Sequence, residues 1–188
     1  MSQPIAARLF DISSEQAGVF SARQAIDLGI AQSTISRAAK RGDFDRLMRG
    51  IYALKNYPST PDAERWAAVL YPTVDRIGAG LGVLSHDTAL TYYLPDSDLA
   101  PNKIHITADF ATPPRRFSIP RTISLHLGHV EGNDLAYTDG GIPITSPTRT
   151  IADCLRDGRL VYEARALEDL LATHGRLDST HVVPGDRP

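Results

Sequence analysis

The chain has 188 residues, 42% hydrophobic and 22% charged, a balance that suits one large or two small globular domains. Its formal net charge of −2 excludes a generic cationic coat for nucleic acid, and its single cysteine, Cys154, excludes an internal disulfide. No basic-then-apolar leader opens the chain and no apolar run approaches membrane-spanning length, so a cytoplasmic protein without a membrane partner is expected.

Ile5 to Gln16 is predicted to form a first helix, with Ile5, Leu9 and Ile12 on one stripe. Gly18 breaks it. Ser21 is an N-cap for a second helix, Ala22 to Leu28, because its hydroxyl can accept from an orphan helix N–H. Gly29 ends that helix, and Ile30-Ala31 make the turn. A third helix, Gln32 to Arg41, ends at Gly42 by the same logic. The spacing is that of a helix-turn-helix, whose second helix enters the DNA major groove. At 3.6 residues per turn, Ile35, Ala38 and Ala39 share the face that should pack inward. Ser33, Ser36, Arg37 and Lys40 point the other way, with Thr34 and Arg41 at the flanks. Arg can bond bidentately to guanine, Lys neutralises phosphate, and Gln32 is placed to read adenine.

Phe44 to Met48 alternates, Arg49-Gly50 can turn, and Ile51 to Leu54 returns. A cationic hairpin beyond a recognition helix is a wing, with Arg46 and Arg49 beside the phosphate backbone. The candidate DNA-binding set is therefore Ser21, Gln32, Ser33, Thr34, Ser36, Arg37, Lys40, Arg41, Arg46 and Arg49. Charge follows the same division. Residues 1–57 hold 8 Lys+Arg against 5 Asp+Glu, or +3, and residues 58–188 hold 12 against 17, or −5.

Residues 56–61, NYPSTP, read as a linker, giving domains 1–56 and 57–188. Thr60-Pro61 starts a helix to about Leu70, with Asp62 and Glu64 in its first turn. Gly78 to Gly82 has the spacing G-x-G-x-G, which does not lead directly into a helix and reads as a turn before a short strand, Val83-Leu84. Ser85 is expected to cap a helix through about Tyr93, and Asp96 and Asp98 fall in a turn. Lys103 to Ala108 and Arg121 to Gly128 alternate as strands, the second with Ile123, Leu125 and Leu127 inward. Arg115-Arg116 lies in a Pro-rich loop. Ala136 to Thr138 and Ile142 to Thr145 flank a hairpin turn. Ser146 caps and Pro147 starts a helix through about Leu155, with Cys154 a buried thiol. Arg149 sits in its first turn, a cation where the dipole disfavours one, which leaves open a carboxylate partner, a binding role or, more commonly, a solvated surface arginine. Val161 to His174 is a last helix, with Ala164, Leu167, Leu170 and Leu171 packing inward. Residues 176–188 should fray. The fold class is thus α+β, an N-terminal winged helix-turn-helix followed by a mixed α/β C-terminal domain.

No catalytic motif passes its context test. A restriction-like nuclease commonly places an acid two positions before a lysine, and those positions before Lys40, Lys55 and Lys103 hold Ala38, Ala53 and Pro101. No G-x-S-x-G elbow exists. His126 and His129, three apart on a strand, face opposite sides, and no histidine has zinc-like spacing with cysteine or carboxylate. No catalytic residue, no metal and no cofactor is expected.

GVFSARQAIDLGI, STISRAAKRG and MRGIYAL, with LSHDTAL and GIPITSPTRTIADCL downstream, resemble the AbiEi-type antitoxins of type IV toxin–antitoxin systems, bacterial transcriptional regulators. The resemblance implies an antitoxin whose winged helix-turn-helix binds double-stranded operator DNA at an inverted repeat and represses its own operon. It also implies a C-terminal domain that counteracts a nucleotidyltransferase-like toxin, directly or functionally. The alternatives are a stand-alone transcriptional regulator, ligand-sensing or not, and a truncated relative of a nuclease-fused protein. A short recognition helix presents too few base-reading side chains for one genomic site. No long apolar heptad suits a coiled coil, so a monomer or weak dimer pairing on DNA is expected.

Overall fold

The computed structural model describes residues 5–55, 57–58, 60–74, 80–109, 119–174 and 182–184. Gly78-Ala79, Arg115-Arg116, Asn56 and Ser59 of the expected linker, and most of the 176–188 tail lie outside the described residues. The chain divides into two compact units, Met1–Leu81 and Gly82–Pro188.

The first unit runs α1 (Ile5–Ser14), β1 (Val19–Ser21), α2 (Ala22–Asp27), α3 (Gln32–Arg41), β2 (Phe44–Met48), β3 (Ile51–Leu54) and α4 (Pro61–Leu70). Its three strands lie in the order β1-β3-β2, all antiparallel. Helix α2 starts where the sequence says it should. The Ser21 hydroxyl accepts from the Gln24 N–H at 3.1 Å, and the Gln24 side chain accepts from the Ser21 N–H at 2.9 Å. That reciprocal pair satisfies two orphan donors and is a capping box. Helix α3 stops at Gly42, whose φ of +81° is the left-handed conformation that closes the last turn. Arg49-Gly50 turns the β2–β3 hairpin, and Gly50 has a φ of +71°.

Phe20 is fully buried at the centre of this unit. It meets Phe44 edge-on at 5.1 Å and stacks on Tyr52 at 5.7 Å. Leu9 from α1, Ala25 from α2, and Ile35 and Ala38 from α3 close around it. The inward face predicted for α3 is therefore the buried one, with Ala39 half-buried beside it. Helix α4 is capped by Thr60, whose hydroxyl accepts from the Ala63 N–H, and it packs on β1 and β3. It buries Trp66, Val69 and Leu70. The division between units consequently falls at Leu81/Gly82 rather than at 56/57: prolines and small polar residues mark a local break, but the apolar face beyond them folds back.

The second unit contains β4 (Val83–Leu84), α5 (His86–Tyr93), β5 (Ile104–Ala108), β6 (Ile123–Leu127), β7 (Leu135–Thr138), β8 (Pro143–Thr145), α6 (Pro147–Arg156), α7 (Val161–His174) and β9 (Val182–Pro184). The strands form one mixed sheet, β6-β5-β4-β8-β7-β9. The β5–β6 and β4–β8 pairs are parallel and the others antiparallel. Helix α5 packs on β5 and α6, and α6 packs on α7. Helix α6 has the predicted cap, the Ser146 hydroxyl accepting from the Arg149 N–H at 3.3 Å.

Three local expectations are corrected. Leu127 is 60% exposed rather than inward, because β6 is the edge strand and Leu127 is its last residue. On α7, Ala164 and Leu167 are fully buried but Leu170 is 38% exposed. In the tail, residues 182–184 pair antiparallel with β7.

Candidate nucleic-acid interface and a buried histidine cluster

In the first unit α2, the turn at Gly29 and α3 are followed by the hairpin β2–β3, and α3 is in contact with both α2 and β2. Burial of Ile35 and Ala38 fixes the rotation of α3. Gln32, Ser33, Arg37, Lys40 and Arg41 are exposed on its outer side, while Thr34 and Ser36 are half-buried. Arg46 and Arg49 are exposed on the hairpin and its turn. The Arg37 Nε donates to the Ser33 carbonyl at 3.2 Å, which lays the guanidinium along the helix face. Arg41 is paired with Asp43 at 2.7 Å. Ser21 is a correction: it is fully buried and its hydroxyl is committed to capping α2, so it positions the helix and has no surface to offer a ligand.

The second unit holds a polar cluster that no single stretch of sequence shows. His86 opens α5, His105 lies on β5 and His126 on β6. Strands β5 and β6 run parallel with His105 opposite Ser124 and Thr107 opposite His126. Alternation then puts all four on one face. The His86 and His126 rings stack with centroids 3.6 Å apart, and the His105 Nδ1 lies 3.0 Å from the His126 Nε2. His86 is fully buried and carries a φ of +49°, a left-handed backbone that a non-glycine residue adopts at a cost of about 1–3 kcal/mol.

A hydrogen-bond chain organises these rings. Thr107 donates to the Ser85 hydroxyl at 2.9 Å, and that hydroxyl meets the His86 Nδ1 at 2.9 Å. The His86 Nε2 faces the Asp157 Oδ2 at 3.2 Å, and the His126 Nδ1 faces the same oxygen at 3.6 Å. The other oxygen, Asp157 Oδ1, accepts from the Arg156 Nε at 3.1 Å. Asp87, buried beside His105, accepts from the Arg159 Nε at 2.9 Å and its Nη2 at 2.5 Å. Ser85 was expected to cap α5, but its hydroxyl is turned to His86 instead.

Burial sets the charge state of the rings. It lowers His105 and His126 to about 4, and it lowers His86 against the pull of Asp153 and Asp157. All three are therefore neutral at pH 7. Burial alone would raise the Asp87 carboxyl, but the Arg159 hydrogen bonds and the nearby His105 hold it below its ordinary value.

An open groove adjoins the cluster, lined by Thr107, His126, Gly128, Arg149, Arg156 and Asp157. Arg149 has the carboxylate partners its unfavourable position called for, Asp134 at 2.7 Å and the fully buried Asp153 at 3.0 Å. Ser85, His86 and Asp157 have the connectivity of a nucleophilic triad. Ser85 is fully buried, and its hydroxyl is held by Thr107 as well as by His86.

Residues 7–55 match the family model described as transcriptional regulator, AbiEi antitoxin. The matched stretch covers α1 from Ala7 through β3 and so includes every exposed cation of the first unit's candidate face. It stops short of the histidine cluster. No curated protein matches the chain.

Sequence reasoning missed the cluster because it compared His126 with His129, its neighbour along the strand. His129 in fact turns to Asp109 at 3.0 Å and Glu131 at 2.9 Å, on the exposed surface. The available signal was the pair of polar alternations H-x-T on β5 and S-x-H on β6, in strands otherwise apolar.

Proposed function

We propose that this protein is a DNA-binding transcriptional repressor of the antitoxin type. Its first unit acts as a winged helix-turn-helix, with α3 in the major groove and the β2–β3 hairpin as the wing. The observation that carries this reading is the face of α3. Gln32, Ser33, Arg37 and Lys40 are exposed on a helix whose other side is locked by Ile35 and Ala38, next to a hairpin bearing Arg46 and Arg49. The family match over residues 7–55 supports it. Specificity then comes from two copies on an inverted repeat, a monomer or weak dimer pairing on the DNA, with half-sites about one helical turn or a multiple apart. The protein acts in the cytoplasm, represses its own operon, counteracts a nucleotidyltransferase-like toxin directly or functionally, and carries no catalytic step of its own.

The test is an anisotropy titration of the full chain on duplex DNA from the region upstream of its own gene. Arg37→Ala is expected to weaken specific binding by about 1–3 kcal/mol while leaving random DNA nearly unchanged. With about five phosphates neutralised per protomer, log K should fall against log salt with a slope of about −4 to −5, and Arg49→Ala should flatten it. A slope near zero, or equal affinity for random DNA, would refute the reading. The toxin half is tested by co-expressing the adjacent gene with and without this chain. Equal growth inhibition in both cultures would remove the antitoxin role and leave a stand-alone regulator.

A further inference from the structure

We propose that the second unit binds a divalent transition-metal ion, zinc or a chemically similar one, through His86 Nε2, His126 Nδ1 and Asp157 Oδ2.

Geometry comes first. Tetrahedral zinc with bonds of about 2.0–2.1 Å to nitrogen and oxygen spaces its ligand atoms about 3.3–3.5 Å apart. The two distances to Asp157 Oδ2, 3.2 Å from His86 and 3.6 Å from His126, bracket that edge. All three donor atoms lie within 4.8 Å of one another. Two imidazoles and one carboxylate select a transition ion over calcium or magnesium, which prefer all-oxygen shells.

The surroundings are those a ligand set requires. A ligating histidine normally donates its other N–H to an acceptor that fixes its orientation. For His86 that acceptor is the Ser85 hydroxyl at 2.9 Å, itself held by Thr107. For His126 it is the His105 Nδ1 at 3.0 Å, and the His105 Nε2 stands 3.6 Å from the Asp87 carboxylate. The Asp87 carboxylate, held by Arg159, lies beyond that intervening ring. Asp157 is oriented too, because its Oδ1 is taken by Arg156 and its Oδ2 is turned to the rings. The rings are held neutral by burial, so their nitrogens carry lone pairs at pH 7. His126 and Asp157 also line the open groove, which gives an ion a path inward.

One rearrangement is required. The two rings stack within 15° of parallel, so their in-plane lone pairs run side by side instead of meeting at a point. Enclosed His86 keeps its place, and His126, whose side chain is 19% exposed toward the groove, tilts out of the stack.

The experiment titrates zinc alone into the metal-stripped full chain by calorimetry. X-ray absorption of the zinc-loaded wild-type protein follows. One ion per chain, with two imidazole nitrogens and a carboxylate oxygen in its shell, is expected. His126→Gln and Asp157→Asn, each checked for native circular dichroism, should weaken binding at least tenfold. His129→Gln, outside the cluster, should leave it unchanged. No binding by the wild type, a shell without two imidazoles, or affinity insensitive to both cluster variants would overturn the proposal. The wild-type absorption spectrum decides the matter even if a variant fails to fold.

Discussion

Both units bury an apolar core, but they differ in what they bury beside it. The first closes around aromatic rings, Phe20 on Phe44 and Tyr52, and leaves its cations outside. The second draws histidines, carboxylates and hydroxyls into its interior and partners them there: His86, His105, Asp87 and Asp153 are all buried. All six histidines fall in the second unit and the single tryptophan, Trp66, in the first. The lesson concerns tolerance. An apolar core fails by losing volume, whereas a polar one fails when a single partner is removed or a single proton is added.

The largest effect expected is on the apolar side. Phe20→Ala should cost about 3–5 kcal/mol, because it empties the point where α1, α3 and the three strands meet. Trp66 fluorescence during urea unfolding reads this unit, and an unchanged midpoint would mean that the rings are not its keystone. Asp153→Ala should cost the second unit about 2–3 kcal/mol. Asp153 is fully buried and holds both Arg149 and Arg156, so its loss removes two ion pairs from one site, while Arg149 keeps Asp134 and Arg156 keeps Asp157. Histidine ring resonances should report that loss while Trp66 does not.

Acid should separate the units in the same sense. His105 and His126 are lowered to about 4 in the folded chain, against 6.5 unfolded. The unfolded state therefore takes up protons first. The stabilisation is complete above pH 6.5 and is lost as pH falls from there toward 4, on the order of 3 kcal/mol for each ring at full titration. The first unit, which has no histidine, should hold its urea midpoint over that window. Equal pH dependence of the two signals would break the contrast.

The smallest effect is chemical. Burial raises the Cys154 thiol to about 12, so alkylation at pH 8 should leave it unmodified in the native chain and modify it fully in urea. Rapid native labelling would show that the second interior opens readily.

Sequence alone determined the local events. The caps at Ser21, Thr60 and Ser146, the stop at Gly42, the hairpin at Arg49-Gly50 and the outward set on α3 could all be read directly. Each rests on contacts within about four residues, or on a single helical period, so the residues that decide it stand close together in the sequence. The tertiary structure decided what depends on distant segments meeting. It extended the first unit through α4, because an apolar face found β1 and β3 beyond a Pro-marked break. It withdrew Ser21 from the surface, since burial belongs to the packed core and not to residue type. Above all, it set His86 against His126, 40 positions away, and both against Asp157. Strand register makes that meeting: parallel pairing of β5 and β6 brings two polar alternations onto one face, and which strands pair is written in no single stretch of the chain.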